Sequence, residues 1–388
     1  MSLKTFLSPE EIEAVMSFDG KSDFLHFSGD TLRLTEVFSW GRLNNCLNTA
    51  SLPSTDIRLF KEGRSLSYNG SIDLIRETAN GATLIHDDID RKDIELGRVL
   101  DAVTGEMGFR TRANLYLSYP ETQGFHAHYD THAFLILQIS GKKKWNIYRN
   151  QEASPLYVQK HHPTLTEAEL SLSEEVLLEE GDVLFVPKGQ WHDATAKDGP
   201  SVHLTLALFA PTGIDFLDWL TDELREELSC RLDFPWGKNA LAAGQEEPDN
   251  ALKLAIERVA ASVNQKLSEK TLAADFLAHG CATISVRDRL HFPQHIESNS
   301  CIGDGDSFLL ASKTLSYFGF QNDGFVHLVG GELSMAVPSE LIPAIDLMTA
   351  SDGPFALVDL ENTCTAGATQ ELSKFITTLL IYGIIRRV

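Results

Sequence analysis

Between Ala113 and Ala210 the chain alternates short apolar runs with turn residues. ANLYLSY, FLILQIS, KWNIY, EVLLEE, DVLFVP and SVHLTLALF are each of strand length and rich in β-branched or aromatic residues. Gly141, Gly181 and Gly189 fall at the breaks, which predicts separate strands on either side of each. Several short strands with glycine turns favour a sandwich or barrel over alternating strands and helices. The residues before Ala113 mix short helices and short strands. Ser8-Pro9-Glu10-Glu11 predicts a helix start: a capping serine, a proline in the first turn and acidic residues at the positive end of the dipole.

After Pro211-Thr212-Gly213 the period becomes helical. IDFLDWLTDELREELSCRL places Phe216, Leu217, Leu220, Leu224 and Leu228 on one stripe. A polar interval, AAGQEEPDN, leads to ALKLAIERVAASVNQKL, whose stripe is Leu252, Ile256, Val259 and Val263. Two such helices need a partner surface, either their own barrel or a second subunit. FVHLVGGELSMAV predicts a hairpin with Gly330-Gly331 in its turn. ELSKFITTLLIYGIIRRV predicts a final helix with Leu372, Phe375, Leu379 and Leu380 along one face. The expected organisation is α+β: a mainly β core with N-terminal α/β elements over 1–212, a helical segment over 213–275 and a winged-helix-like module over 276–388.

Composition narrows the function classes. No apolar run approaches the ~18 residues needed to span a bilayer. The start, MSLKTFLSPEEIEAVM, lacks the basic residues and apolar stretch of a secretion signal, so a cytoplasmic location without membrane partners is expected. Cys46, Cys230, Cys281, Cys301 and Cys364 form no C-x-x-C pair, which argues against a disulfide framework or a zinc ribbon. A net charge of −22 repels nucleic-acid phosphates and attracts a basic partner. A winged helix generally suggests DNA binding, but on this acidic chain a scaffolding or dimer role fits better.

The chemistry concentrates in QGFHAHYDTHAFLILQISGKKKWNIY, where His126, His128, Asp130 and His132 stand at every second position. On a strand, His128 and Asp130 share a face. With one distant histidine they form a set of two imidazoles and one carboxylate that leaves octahedral positions open on an iron. Zinc favours tetrahedral sites richer in His or Cys. GDVLFVPKGQWHDATA offers His192 after a buried strand and a Pro-Lys-Gly turn. His161 and His162 are rivals in a polar, proline-flanked stretch that reads as a surface loop. A second His-x-Asp, His86-Asp87-Asp88, runs into a charged segment and also reads as a loop. Among Lys142, Lys143 and Lys144, one can turn inward as the counter-charge of a carboxylate, and periodicity does not choose which.

The stretches NLYLSYPETQGFHAHYD, LILQISGKKKW, GDVLFVPKGQWHDA and SVHLTLAL resemble the JmjC-type ribosomal oxygenases, the cupin-like branch that hydroxylates ribosomal proteins. The resemblance implies a double-stranded β-helix holding Fe(II) on His128, Asp130 and His192, with 2-oxoglutarate as cosubstrate and O2 as oxidant. No catalytic residue is implied beyond the metal centre. The family's cosubstrate cation lies thirteen residues after the aspartate, which selects Lys143. Asn114 and Tyr116 match positions that line the cosubstrate pocket, and His203 matches a histidine near the site. His126 stands where relatives have a small residue or proline, and His132 adds an imidazole; each is read as a surface or substrate-contacting residue. The implied substrate is a His or Arg side chain of a basic ribosomal protein, and the implied assembly is a homodimer. Competing readings are a hydroxylase of a small molecule or biosynthetic peptide, and a non-catalytic cupin-like binding or scaffold protein.

Overall fold

The computed structural model describes residues 3–18, 24–29, 31–120, 123–156, 165, 169–235, 250–283, 302–303, 305–310, 315–318, 324–330, 333–351, 353–365 and 368–388. His161 and His162, and all of AAGQEEPDN but its final Asn250, lie outside them. The chain divides into two compact units that meet in sequence at Ala210 and Pro211.

In the first unit the strands are β1 (Leu25–Phe27), β2 (Ile57–Lys61), β3 (Arg64–Leu66), β4 (Thr83–His86), β5 (Thr111–Ser118), β6 (Ala133–Gln151), β7 (Leu172–Leu178), β8 (Val183–Val186) and β9 (Gln190–Leu208). They form one sheet in the order β1-β8-β6-β9-β5-β4-β2-β3, with β7 also on β6. The early part of β6 pairs with β8 and the late part of β9. Its later part pairs with β7 and the early part of β9, so the sheet wraps on itself as a double-stranded β-helix.

Two of the predicted breaks are real: Gly181 and Gly189 turn the chain at φ +100° and +81°. Gly141 is not a break. It sits inside β6 at φ +69°, where the register with β9 shifts. FLILQIS and KWNIY are therefore one bent strand, and GQWHDATA continues into SVHLTLALF as β9. The bend needs glycine, because a Cβ at Gly141 would collide with the Pro200 carbonyl oxygen. The sheet also starts earlier than the sequence suggests, since β2 and β4 extend it beyond β5. His86 closes β4 rather than lying in a loop.

Strand alternation sorts side chains onto two faces. Ala113, Leu115 and Leu117, with Leu135 and Leu137, and Val202, Leu204 and Leu206, pack against Leu96, Val99, Leu100 and Val103 of the helix Ile94–Met107. Each of these leucines and valines contributes roughly 1.5–3 kcal/mol by leaving water. The opposite face closes the barrel interior with Phe134, Ile136, Trp145, Ile147, Val176, Leu178, Leu184 and Val186. The helix Pro9–Met16 has the predicted start: Ser8 Oγ accepts from Glu11 N–H, and Glu11 Oε2 accepts from Ser8 N–H.

In the second unit the first predicted helix is broken, with Gly213–Leu224 and Leu228–Arg231 as separate pieces. Trp219 and Leu220 are its buried residues, and Phe216 and Trp219 meet Phe276 with ring centroids 5.2 and 5.3 Å apart. Leu217 and Leu228 are exposed, because the large indole takes the packing position. In the helix Asn250–Leu267 the buried residue is Ala255, and Ile256 faces out. β12 (Phe325–Gly330) and β13 (Leu333–Pro338) form the predicted hairpin, flanked by β11 (Ser316–Phe318); Gly331 lies outside the described residues. A second sheet joins β10 (Ser307–Leu310), β14 (Phe355–Ala356) and β15 (Ile385–Arg387). The last helix runs only over Thr369–Ile381, burying Leu372, Phe375, Ile376 and Leu379. Gly383 then turns at φ +67°, and the remaining tail is β15. Among the described residues, no helix is long and apolar enough to cross a membrane.

Candidate metal centre

His128 and Asp130 lie on an irregular segment between β5 and β6, not on a strand. Backbone bonds pin it at both ends. Glu62 and Gly63 N–H donate to Gln123 and Gly124 carbonyls at 2.8 and 2.9 Å, and Gly189 N–H donates to the Asp130 carbonyl at 2.8 Å. Between these, His128 and His192 face each other across one antiparallel bridge, exchanging N–H···O bonds of 3.0 and 2.8 Å. Directly opposed residues send their side chains to the same face. The two imidazole centroids are accordingly 4.5 Å apart.

Each ring is oriented by its own backbone. His128 Nδ1 is 2.9 Å from the His126 carbonyl oxygen, and His192 Nδ1 is 2.9 Å from that of Gln190. A carbonyl only accepts, so both Nδ1 atoms carry the proton, which leaves each Nε2 as the nitrogen that can ligate. One ligand atom from each of His128, Asp130 and His192 lies within 4.8 Å of the other two, and His192 Nε2 is 3.9 Å from Asp130 Oδ2. Burial, with help from the neighbouring His128, lowers the His192 pKa to about 4, which keeps the ring neutral and able to ligate. Two imidazoles and a carboxylate converging from one side fit a divalent metal such as Fe(II) that leaves further positions open.

Alternation along β6 settles which lysine turns in. Lys143 is only 4% exposed, while Lys142 and Lys144 point out and pair with Glu179 and Glu175 at 2.5 and 2.6 Å. Lys143 Nζ donates to Ser118 Oγ at 3.1 Å and lies 3.5 Å from His203 Nδ1. Both groups are neutral, and burial drops the lysine to about 7. His203 is held well below its ordinary range by burial and by the lysine. An enclosed cation with only neutral neighbours is suited to receive a carboxylate.

Tyr116 lies opposite His203 in the β5–β9 register and stacks on it at 4.8 Å with ring planes 4° apart. Burial, then the charges of Asp130 and Asp87, raise its phenol. Asn114 shares that face, and its Oδ1 accepts from Asp88 N–H at 3.1 Å. His126 is exposed and packs over Gly63, where a Cβ would strike its ring. His132 lies against Phe209, 4.8 Å between centroids. Ser118 escaped the sequence reading, although its parity with Asn114 and Tyr116 could have revealed it. Two enclosed side-chain atoms here, Trp145 Nε1 and Gln138 Oε1, have no hydrogen-bond partner among the described residues. A surface cleft of about 560 Å³ lined by residues including His26, Gly29, Glu179 and Asp182 shares no residue with this site. Its buried carboxylate, Asp182, is engaged by His26 and by the Gly29 and Glu179 N–H groups, which reads as structural.

The family model described as JmjC domain matches residues 91–216, a span holding all three converging side chains and Lys143. Ribosomal oxygenase 1 of Gallus gallus is 36% identical over 144 residues, which are 35% of this chain and 24% of that protein. Residues 91–216 thus match a JmjC domain, and part of the chain is similar to a ribosomal oxygenase. The bifunctional lysine-specific demethylase and histidyl-hydroxylase NO66 of Aedes aegypti is 37% identical over 101 residues, 26% of this chain and 16% of that protein. The chain thus spans about a quarter or less of the length of these curated relatives. Among solved structures, Escherichia coli YcfD superposes with TM-score 0.64 at 14% identity, covering 97% of this chain and 98% of that one. The YcfD ribosomal oxygenase in complex with cobalt and 2-oxoglutarate gives 0.63 at 14%, covering 98% and 99%. At this identity the likeness speaks for the fold, and it extends over both units of this chain.

Proposed function

We propose that this chain is an Fe(II)- and 2-oxoglutarate-dependent oxygenase that hydroxylates a His or Arg side chain of a basic ribosomal protein. The observation that carries it is the His128–His192 bridge, with both Nε2 atoms and the Asp130 carboxylate converging. His128, Asp130 and His192 would hold the metal; Lys143 would hold the far carboxylate of 2-oxoglutarate, with Ser118 fixing the ammonium. Tyr116 and Asn114 would line the same pocket, and the Tyr116–His203 stack would keep its floor flat. Phe134, Ile136 and Ile147 exclude water from the interior, which strengthens the lysine–carboxylate pair. When bound, the metal and cosubstrate supply an oxidation in which O2 converts 2-oxoglutarate to succinate and CO2 and places its second atom in a substrate C–H bond. The ribosomal substrate is supported by the relatives' names and by the net charge of −22, which favours a cationic protein. The segments 213–275 and 276–388 are read as a dimerisation element and a winged-helix-like module without catalytic residues.

Incubation with Fe(II), 2-oxoglutarate and O2 is expected to release succinate. Ribosomal proteins from cells lacking the gene are expected to lose one modification of +16 Da. Succinate release without any lost modification would overturn the ribosomal substrate and leave the oxygenase.

A further inference from the structure

Trp145 faces the barrel interior between Lys143 and Ile147, opposite Ala194 on β9 and Val176 on β7. Its ring centroid is 5.7 Å from that of His192, on the metal side, and 5.7 Å from that of His203, beside the Lys143 ammonium. The indole therefore flanks the span between the converging ligand set and the buried cation. Its Nε1–H is enclosed and has no hydrogen-bond partner among the described residues. An unpaired buried donor costs about 1–3 kcal/mol, and buried tryptophan N–H groups usually find an acceptor. Phenylalanine would fill much of this space without that penalty, so the donor calls for an acceptor that the described residues do not supply.

We infer that the Trp145 indole N–H donates a hydrogen bond to a carboxylate oxygen of the bound 2-oxo dicarboxylate. The inference rests on the proposed function, since it needs that cosubstrate between Lys143 and the metal. A carboxylate has lone pairs to spare after meeting a lysine, and its oxygens are acceptors only. The indole adds direction where the ammonium supplies charge, fixing the rotation of the diacid in its slot.

The test uses the full chain loaded with Zn(II), which binds without redox chemistry. In a proton–nitrogen spectrum of the indole groups, the signal missing from Trp145→Phe identifies Trp145. Adding 2-oxoglutarate to the wild-type protein is expected to move that signal downfield. By calorimetry, Trp145→Phe is expected to bind 2-oxoglutarate about 5–10-fold more weakly, as losing one hydrogen bond implies, with Zn(II) affinity unchanged. Wild-type binding of 2-oxoglutarate with an unmoved Trp145 signal would sink this inference alone, and so would equal affinity in the variant. If the zinc-loaded wild type bound no 2-oxoglutarate, the cosubstrate reading would fall and take this inference with it. Should Trp145→Phe not fold, the wild-type spectrum still decides, with Trp145→Tyr locating the signal.

Discussion

The chain carries two His-x-Asp stretches, and their difference shows what turns such a triplet into a site. His86 ends β4 opposite Ile57 and Leu115, on the face that packs into the main core. Burial lowers its pKa, and its Nδ1 lies 2.9 Å from the Asp87 carbonyl. The carboxylates beside it are engaged: Asp87 accepts two bonds from Arg58 at 2.5 and 2.8 Å, and Asp88 pairs with Arg112. His128 instead meets a second histidine across a bridge, and a carboxylate stands within ligand reach of both. Both triplets pair a histidine with an aspartate two residues on; convergence with a third element separates them.

The sharpest way to break this contrast is by substitution. Asp130→Ala or His128→Ala is expected to abolish 2-oxoglutarate turnover and to weaken metal binding by more than the ~100-fold typical of losing an outer-shell partner. Asp88→Asn is expected to leave metal affinity unchanged, read by equilibrium titration with Co(II). Equal losses in both triplets would erase the distinction. Next in size is Lys143→Met, which should cost about 2–5 kcal/mol in 2-oxoglutarate binding, the range for removing one partner of a buried charge pair. Metal affinity should be retained, and Lys142→Ala should leave 2-oxoglutarate binding unaltered.

The pH dependence follows from the same lysine. Free Lys143 titrates at about 7, and a bound carboxylate raises that value. Binding therefore takes up a proton above pH 7, and affinity for 2-oxoglutarate should fall as pH rises, by at most about tenfold per unit. Lys143→Arg should flatten the profile; an unchanged slope would remove the lysine from the pocket. The smallest effect is expected at the core-side triplet. Arg58→Met should lower stability to urea by no more than about 1 kcal/mol, as for an exposed ion pair, without changing turnover.

Much of the site was legible because strand chemistry is local. The bridged histidine His192 was visible from a buried run followed by a turn, and the inward lysine needed only the family spacing. Other features depended on pairing partners distant in sequence. Nothing near His128 announces that it bonds to the strand bearing His192, and nothing near Gly141 announces that the strand continues through it. The helical stripe of the second unit was misread for a different reason: Trp219 and Ala255, rather than Leu217 and Ile256, take the packing positions. Periodicity counts apolar residues equally, whereas packing selects them by volume.

β6 changes parity at its bend, with Phe134 and Ile136 facing inward before it and Lys143, Trp145 and Ile147 after it, so the later half depends on its register with β9. A slip of a single residue between them would invert every side chain of the later half. Such a misfolded barrel would still point an ammonium inward, since Lys142 and Lys144 flank Lys143. It would, however, expel Trp145 and Ile147 and drag Asn146 into an oily interior. The lysine run alone thus tolerates misalignment, and its bulky neighbours proofread the fold.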